Sequence, residues 1–342
     1  MTRNARFLSM LLPLVACTGG TDSKPADTAD TADTADTDTD ITEQERGCLA
    51  VDPSLPCPDP ADVLPGDVIP QTCGAEVISV DGVGTAETCG WIGGFAAGWC
   101  IYPITVIPPE EECDYGRPLL DEGGQPRVAS LVRRAFAPAA AVAPDATRAE
   151  QWARVALAEH ASVASFSRFA LQLMAVGAPA DLIDDAHAAA RDEVRHAQLA
   201  FGLASGFAGE PLGPGPLPAT AAPVSLLELA VATAREGCVA ETLSALKVEA
   251  ALEIEADPVV RAVLATLARD ERRHAALAWR TLRWAIDTGG AEVQAAVAAV
   301  FATAPGAGGG LVTADVAAEV VASAWAEVIT PAAAALFGAA SA

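Results

Sequence analysis

Two segments of the sequence carry the same order of acidic, basic and imidazole side chains. Residues 192–196 read DEVRH and residues 270–274 read DERRH, so each segment places a glutamate three residues before a histidine. Side chains three apart on a helix project from the same face, and each such pair can therefore chelate one metal ion. Two of the four histidines in the chain are used in this spacing.

Two more glutamates complete a candidate set of metal ligands. Glu159 and Glu241 each interrupt the apolar stripe of a helical segment, where an unpaired carboxylate would cost on the order of several kcal/mol. Since no inward lysines match them, four inward carboxylates require cations between them. The candidate ligands are Glu159, Glu193, His196, Glu241, Glu271 and His274.

Further charged residues of the two motifs are expected to support the ligands. Asp192 and Asp270 come directly before the ligand glutamates, and each is expected to accept the outer ring proton of the histidine on the opposite helix. Arg195 and Arg273 would then neutralise the two aspartates. The alternative interpretation is a set of surface side chains on amphipathic helices, which the agreement among four helices disfavours.

Other polar residues of these helices receive less specific interpretations. Glu236 competes with Glu241 as a ligand, but its spacing from Glu241 places it off the buried face, so we expect Glu236 in solvent, together with Glu249. His160 fits a surface position or a second layer around the metal equally well. Cys238 is expected to be a buried, inert thiol.

Alanine-rich helical patterns must position these residues. Asp257 and Pro258 form an N-cap followed by proline at the first helical position, and Ser225 with Glu228 forms a capping box. Short links force neighbouring helices to be antiparallel, whereas the Gly/Pro-rich stretch 206–223 requires a long crossover. The predicted helices span 147–176, 179–205, 225–256, 258–287, 291–303 and 313–337.

Residues 147–287 resemble the ferritin-like superfamily of di-iron carboxylate proteins, which includes rubrerythrins, multicomponent monooxygenase hydroxylases, tRNA hydroxylases and the ribonucleotide reductase small subunit. The doubled D-E-x-R-H motif and the placement of Glu159 and Glu241 carry the resemblance. It implies a ferritin-like four-helix bundle. It also implies two iron ions, with manganese or a mixed manganese–iron pair as alternatives, and chemistry with dioxygen or peroxide.

Particular members of that superfamily fit less well. The two tyrosines, Tyr102 and Tyr115, lie outside the predicted bundle, which argues against a radical-storing tyrosine. No CxxC pair exists, so the rubredoxin centre of typical rubrerythrins is missing. Acidic residues number 45 against 21 basic ones, for a net charge of −24. Such a surface repels phosphate backbones, so nucleic acid, including tRNA, is excluded as a partner.

The amino terminus predicts export. Residues 1–16 contain two arginines followed by a short apolar run, which is typical of a signal peptide and too short to span a bilayer. The residues 14–17, LVAC, resemble the lipobox of bacterial lipoproteins, which implies cleavage before Cys17 and acylation of its thiol. Thr18 then favours sorting to the outer membrane. No other stretch is expected to be long and apolar enough to cross a membrane.

Three segments separate the anchor from the helices. Residues 17–46 form an acidic low-complexity tether, and residues 118–146 form a connector. Between them, residues 47–117 are rich in Gly and Pro and are expected to form a partly β module. Three disulfides are predicted there, with zinc as the disfavoured alternative. The six cysteines are Cys48, Cys57, Cys73, Cys89, Cys100 and Cys113.

The sequence therefore predicts a mainly α protein with a small disulfide-rich module before the bundle and additional helices in residues 288–342. Its leading functional interpretation is an envelope lipoprotein with di-iron oxidoreductase activity. Two alternatives stay open at this point: a lipoprotein that binds metal without catalysis, and a scaffold whose cysteine-rich module contacts a partner. Fold alone does not choose among them.

Overall fold

The structure is a computed structural model that describes residues 2–16, 45–51, 76–80, 100–107, 117–121, 126–219, 221, 224–308 and 310–338. It confirms a mainly helical protein. The α-helices are α1 (Arg3–Ala16), α2 (Ala146–Ala175), α3 (Ala180–Ala208), α4 (Leu226–Ala232), α5 (Thr242–Ile254), α6 (Pro258–Val300), α7 (Ala314–Ala324) and α8 (Thr330–Gly338). Two π-helical segments, π1 (Thr233–Glu241) and π2 (Trp325–Ile329), join α4 to α5 and α7 to α8.

Local capping residues define where the long helices begin and end. The side chain of Asp145 accepts a hydrogen bond from the backbone N–H of Arg148 at the start of α2. Ser225 and Glu228 form the expected capping box before α4. Asp257 accepts from the backbone N–H of Val259, at 2.8 Å, before α6. These side chains satisfy N–H groups that have no partner within the helix.

The third long helix differs from a regular α-helix. It runs without interruption from Leu226 to Ile254, but its middle nine residues form π1. A π-helix has i→i+5 hydrogen bonds and is rare, and it occurs frequently at functional sites. Nothing in the apolar spacing predicts this change of helical period.

The fourth long helix breaks close to its predicted end. The sequence predicts an end near residue 287 and a further helix at 291–303, and α6 is interrupted by non-helical backbone at Gly290 before it continues to Val300. Gly290 has φ 66° and ψ −148°, a conformation that a side chain would strain. The helical segments on either side of Gly290 therefore correspond to the two predicted helices.

Four long helices surround a common interior: α2, α3, the continuous helix formed by α4, π1 and α5, and α6. Helix α2 packs along α3, and α3 also contacts α6. The continuous helix formed by α4, π1 and α5 packs along α6 over its whole length. The interior contains the largest side chains of the core, including Trp152 and Trp279. Residues 209–225 provide the long connection between α3 and α4, and they include β5 (Gly213–Pro214).

The connector before α2 lies against α3 and this long connection. Residues Leu131–Val132 form β4, which pairs antiparallel with β5. Farther along, the backbone of Ala140 donates a hydrogen bond to the carbonyl of Gly202, at 2.8 Å. At Gly206 an added Cβ would lie 2.4 Å from the carbonyl oxygen of Ala140, so only glycine permits this close approach.

Three strands precede the connector, in the segment predicted to be partly β. Strand β3 (Cys100–Ile107) lies between β1 (Glu45–Val51) and β2 (Glu76–Val80), and both pairings are antiparallel. In the backbone register of β1 and β3, Cys48 pairs with Pro103 and Cys100 pairs with Val51, so these two cysteines are not directly paired positions. The other cysteines of the predicted disulfides, Cys57, Cys73, Cys89 and Cys113, lie outside the described residues.

Helix α1 belongs to the packed interior. It contacts α6, π2 and α8, and the side chains of Phe7, Leu11 and Val15 are fully buried. The predicted signal peptide coincides with this helix. The predicted lipidation site, Cys17, and the tether up to residue 44 lie outside the described residues.

The carboxyl-terminal helix overturns one expectation about membranes. Residues Ala314–Gly338 form a helix of 25 residues with a mean hydropathy of 1.6, which is long and apolar enough to cross a bilayer by length and composition. Core helices pass the same test. In this helix Val328, Ile329 and Leu336 are buried inside the protein.

Candidate metal centre

All six candidate ligands meet in the interior between the four long helices. Each lies in the middle of its helix, and each residue is at most 4% exposed. Helices α2 and π1 each contribute one glutamate, whereas α3 and α6 each contribute one glutamate and one histidine. The residues are Glu159, Glu193, His196, Glu241, Glu271 and His274.

The ligand atoms form two groups that share one carboxylate. Glu159, Glu193, His196 and Glu271 make up the first group, whose donor atoms lie within 4.8 Å of one another. Glu241, Glu271 and His274 make up the second group by the same measure. The first group has four donors and the second has three, and Glu271 belongs to both.

Distances from the two imidazoles show how the groups are joined. Nδ1 of His196 lies 3.3 Å from a carboxylate oxygen of Glu159 and 3.6 Å from Oε2 of Glu193. Nδ1 of His274 lies 3.0 Å from the other oxygen of Glu193, Oε1. Glu193 therefore extends between the rings, whose centroids are 5.8 Å apart. Both Nδ1 atoms point to one centre.

Most of the ligand atoms that face this centre lack hydrogen-bond partners within the described residues. Buried carboxylate oxygens normally accept hydrogen bonds, because an unsatisfied buried polar atom costs on the order of 1–3 kcal/mol. Here both oxygens of three glutamates are buried and unpartnered, as is one oxygen of the fourth. The Nδ1 atoms of both histidines are also buried and have no hydrogen-bond partner. The donor set of carboxylates and imidazoles fits iron, manganese or zinc. The unpartnered atoms are on Glu159, Glu193, Glu241, Glu271, His196 and His274.

The outer nitrogen of each ring faces an aspartate of the opposite motif. Nε2 of His196 is 3.3 Å from a carboxylate oxygen of Asp270, and Nε2 of His274 is 3.6 Å from one of Asp192. At His196 this hydrogen bond to a carboxylate favours the tautomer with the proton on Nε2 and leaves Nδ1 as the donor atom toward the centre. Nε2 of His274 is near Asp192 but has no hydrogen-bond partner within the described residues.

Arginines neutralise the two aspartates unequally. Arg273 contacts both Asp192 and Asp270 at 2.8 Å. Asp270 is also paired with Arg195 and with Arg269, the latter at 3.0 Å. Asp270 is fully buried, whereas Asp192 is 19% exposed. Arg269, which adjoins Asp270 in the chain, is not among the residues that the sequence motifs predict for the site.

The metal-free centre retains protons. Burial, together with the charge of Glu193, raises the pKa of Glu159 well above its usual value. Burial, together with the charge of Glu271, does the same for the pKa of Glu241. Glu193 behaves differently, because burial raises its pKa but the neighbouring rings of His196 and His274 outweigh this effect and lower the pKa overall. Protons on Glu159 and Glu241 must therefore leave before both can bind a cation.

The two histidines are also basic. Burial lowers the pKa of His274, but Asp192 and Glu193 outweigh it and raise the pKa to about 9. Burial is likewise outweighed at His196, where Asp270 and Glu159 raise the pKa well above its usual value. In the metal-free protein these positive rings neutralise part of the carboxylate charge.

The prediction that Glu236 lies in solvent is wrong. Glu236 is 7% exposed and faces two guanidinium groups, of Arg117 and Arg168, each at 3.6 Å. Residues five apart on an α-helix point about 140° away from each other. In a π-helix the i→i+5 hydrogen bonds bring them to nearly the same side. Because π1 contains both Glu236 and Glu241, both are buried.

Other expectations have mixed outcomes. Glu249 is buried at 8% exposure and pairs with Arg272, contrary to the solvent position predicted for it. Cys238 is a buried free thiol, as expected, and burial raises its pKa well above the usual value. His160 is half-buried and lies edge-on to the ring of Phe136. It is absent from both ligand groups.

No protein-family model, curated protein or solved structure matches the chain.

Proposed function

We propose that residues 147–287 form a ferritin-like four-helix bundle that binds two metal ions, with iron as the leading candidate. The observation that carries this proposal is the buried set of unpartnered carboxylate and imidazole atoms contributed by the four long helices. The connections support it, since α2–α3 and α5–α6 are joined by short links and a long crossover separates the two pairs.

The proposed activity is an oxidoreductase reaction with dioxygen or peroxide. When bound, two iron ions would supply the electrons for this reduction and act as Lewis acids. The chain would contribute the enclosure and the proton balance. Asp270 would hold the ring proton of His196 on Nε2, Asp192 lies 3.6 Å from Nε2 of His274, and the arginines keep both aspartates ionised. Glu159 and Glu241 release the protons that bound cations replace.

The enclosure of the ligands favours a second candidate, a lipoprotein that binds or stores metal without turnover. All six ligands are at most 4% exposed, and buried metal can stabilise a fold without catalysing a reaction. The scaffold interpretation, in which a partner contacts the cysteine-rich module, needs no metal. Metal content and turnover separate the three functions.

The experiment uses the full chain, purified in detergent. Iron and manganese per chain are measured by mass spectrometry, and ferrous oxidation is followed with dioxygen and with hydrogen peroxide. Two iron ions with repeated turnover support the oxidoreductase. Two ions without turnover support storage or a structural metal. A chain that binds no metal under any of these conditions would refute the metal centre and leave the scaffold function.

We also propose that the chain is exported and acylated at Cys17, which would place the bundle at the cell envelope. The support is the apolar run followed by LVAC at residues 14–17. Cleavage before Cys17 would remove α1 and uncover its contacts with α6 and α8. Intact mass of the membrane-extracted protein tests this. A lipid-modified chain that starts at residue 17 is expected, and an unmodified chain that retains α1 would contradict the proposal.

A further inference from the structure

An arginine from outside the long helices lies beside the candidate metal centre. Arg117 ends the segment predicted as the cysteine-rich module, and its side chain is only 2% exposed. Its guanidinium lies over the ring of Phe169, with 4.0 Å between the guanidinium carbon and the ring centroid. Its Nε is buried and has no hydrogen-bond partner within the described residues.

Hydrogen bonds fasten the backbone around Arg117 to α2. The hydroxyl of Ser162 donates to the carbonyl oxygen of Arg117 at 2.9 Å, and that of Ser165 donates to the carbonyl oxygen of Pro118 at 3.0 Å. Both serines lie on α2, the helix that carries Glu159. The position of Arg117 is thus determined by the helix that supplies a ligand of the first group.

The guanidinium of Arg117 reaches across to π1. It lies 3.6 Å from the carboxylate of Glu236, and an added Cβ on Gly237 would lie only 3.2 Å from its Nη1. The same Cβ would lie 2.4 Å from the Cβ of Ala278, so Gly237 leaves room for both α6 and Arg117. The positive charge of Arg117 also lowers the pKa of Glu241, although burial raises that pKa overall.

We propose that Arg117 is a positioning residue for the second metal position, and that it acts by holding π1 in the register that brings Glu241 to the centre. This inference rests on the proposed dimetal function. Without the ion pair, π1 can tighten toward a regular α-helix, which turns Glu236 and Glu241 away from each other. The second ligand group then keeps two of its three donors, whereas the first group keeps all four.

The amino-terminal segment consequently controls how many metal ions the bundle holds. An ion bound to Glu159, Glu193, His196 and Glu271 requires only α2, α3 and α6. A second ion requires Glu241, and therefore π1 and Arg117. Loading is expected to occur in two steps, with the Arg117-dependent position filled last.

The test measures Mn²⁺ binding to the full chain by calorimetry and by electron paramagnetic resonance. Wild type is expected to bind two ions and to give the spectrum of an exchange-coupled pair. Arg117→Met is expected to keep the first ion, to bind the second about 100-fold or more weakly, and to give the spectrum of an isolated ion. Arg117→Lys, which keeps the charge, is expected to restore part of the coupled signal.

Arg148→Met is the matched control. Arg148 also pairs with a glutamate, Glu255, and also lies over an aromatic ring, Phe207, but Glu255 lies outside π1. Arg148→Met is expected to bind two ions as wild type does. A general loss of helix packing would affect both variants, whereas a positioning role affects only Arg117.

Glu236→Gln keeps the test decisive if Arg117→Met fails to fold, because it removes the ion pairs of Glu236 with Arg117 and Arg168 while preserving the shape of the side chain. It is expected to lose the second ion in the same way. Two ions of unchanged affinity in both Arg117→Met and Glu236→Gln would overturn the inference and leave the dimetal proposal intact. Fewer than two ions in wild type would instead overturn the proposed function.

Discussion

The helical part of the protein has two interiors that treat buried charge in opposite ways. Between α1, α6 and α8, the buried Arg283 donates to carbonyl oxygens of Val15, Ala335 and Leu336 at the ends of two helices. Between the four long helices, seven carboxylate oxygens of the candidate metal centre are buried without hydrogen-bond partners in the described part of the chain. Burial of charge is common to both, but the first interior leaves only Nε of Arg283 without a partner among the charged groups named here, whereas the second leaves most of its ligand atoms unpartnered.

This difference shows why the two interiors have different roles. A buried cation that donates to three carbonyl oxygens has most of its interactions within the protein and acts on stability. Buried carboxylates and imidazole nitrogens that converge without partners are costly unless something else binds them. We therefore expect changes at the first interior to affect folding, and changes at the second to affect metal content.

The largest effect is expected from removing the chelating pair on α3. The double variant Glu193→Gln with His196→Ala removes two of the four donors of the first group. One of these donors, the carboxylate of Glu193, also extends to the ring of His274. Metal content is expected to fall from two ions per chain to none, measured by mass spectrometry after dialysis against iron and against manganese.

Glu150→Gln with His187→Ala is the matched control for this variant. It makes the same chemical changes at exposed positions of α2 and α3, and its metal content is expected to match wild type. If the chelating pair could be removed without loss of metal, the centre would lie elsewhere and the comparison between the interiors would fail.

The second prediction concerns pH. Glu159, Glu241, His196 and His274 all have raised pKa values in the metal-free fold. Above about pH 4.5 the folded state therefore binds more protons than the unfolded state, and the free energy of unfolding falls as pH rises. The contribution of His274 is complete below its ordinary pKa of 6.5 and is lost as pH rises through about 9.

Metal binding should reverse this trend, because cations replace the same protons. Urea denaturation of the chelator-treated and the Mn²⁺-loaded protein between pH 5.5 and 9 gives the comparison. The metal-free protein is expected to lose stability across this range, while the difference between the two forms grows. Metal-free stability that stays constant or increases with pH would show that the centre does not retain protons.

The third prediction addresses the other interior. Arg283→Met is expected to lower the free energy of unfolding by about 2–3 kcal/mol, because buried carbonyl oxygens lose their donor. Two of these oxygens belong to α8, so the effect does not depend on α1 alone. Metal content is expected to be unchanged. Chemical denaturation and metal analysis of one preparation check both statements, and a loss of metal would mean that the two interiors are coupled.

Sequence reasoning succeeds for this protein where the signal is local. Asp145, Ser225 and Asp257 cap helices near the predicted starts, because a side-chain oxygen at these positions satisfies free N–H groups within three residues. The Glu–His spacing in α3 and α6 is equally local, and the structure brings both pairs to one centre.

It fails where tertiary packing changes the local rule. Burial of Glu236 depends on π1, and π1 lies where Gly237 approaches Ala278 too closely for a side chain. The contact between Arg117 and Glu236 joins residues that are distant in the sequence. Neither can be read from an α-helical period, because both depend on which helices become neighbours.

The smallest effect distinguishes the two halves of the metal centre itself. Asp270 is fully buried, lies 3.3 Å from Nε2 of His196 and pairs with several arginines. Asp192 is partly exposed and lies 3.6 Å from Nε2 of His274. Loss of such a carboxylate typically lowers metal affinity about 10–100-fold. We expect Asp270→Asn near the upper end of that range and Asp192→Asn near the lower end.

The two variants also separate the metal positions, because each aspartate orients a different ring. Asp270→Asn is expected to weaken the ion held by His196, and Asp192→Asn the ion held by His274. Stepwise Mn²⁺ titration resolves the two affinities, and Asp181→Asn, at an exposed position of α3, controls for the change of charge. Equal losses at both steps from either variant would mean that the aspartates act through the net charge of the centre rather than through the orientation of one ring.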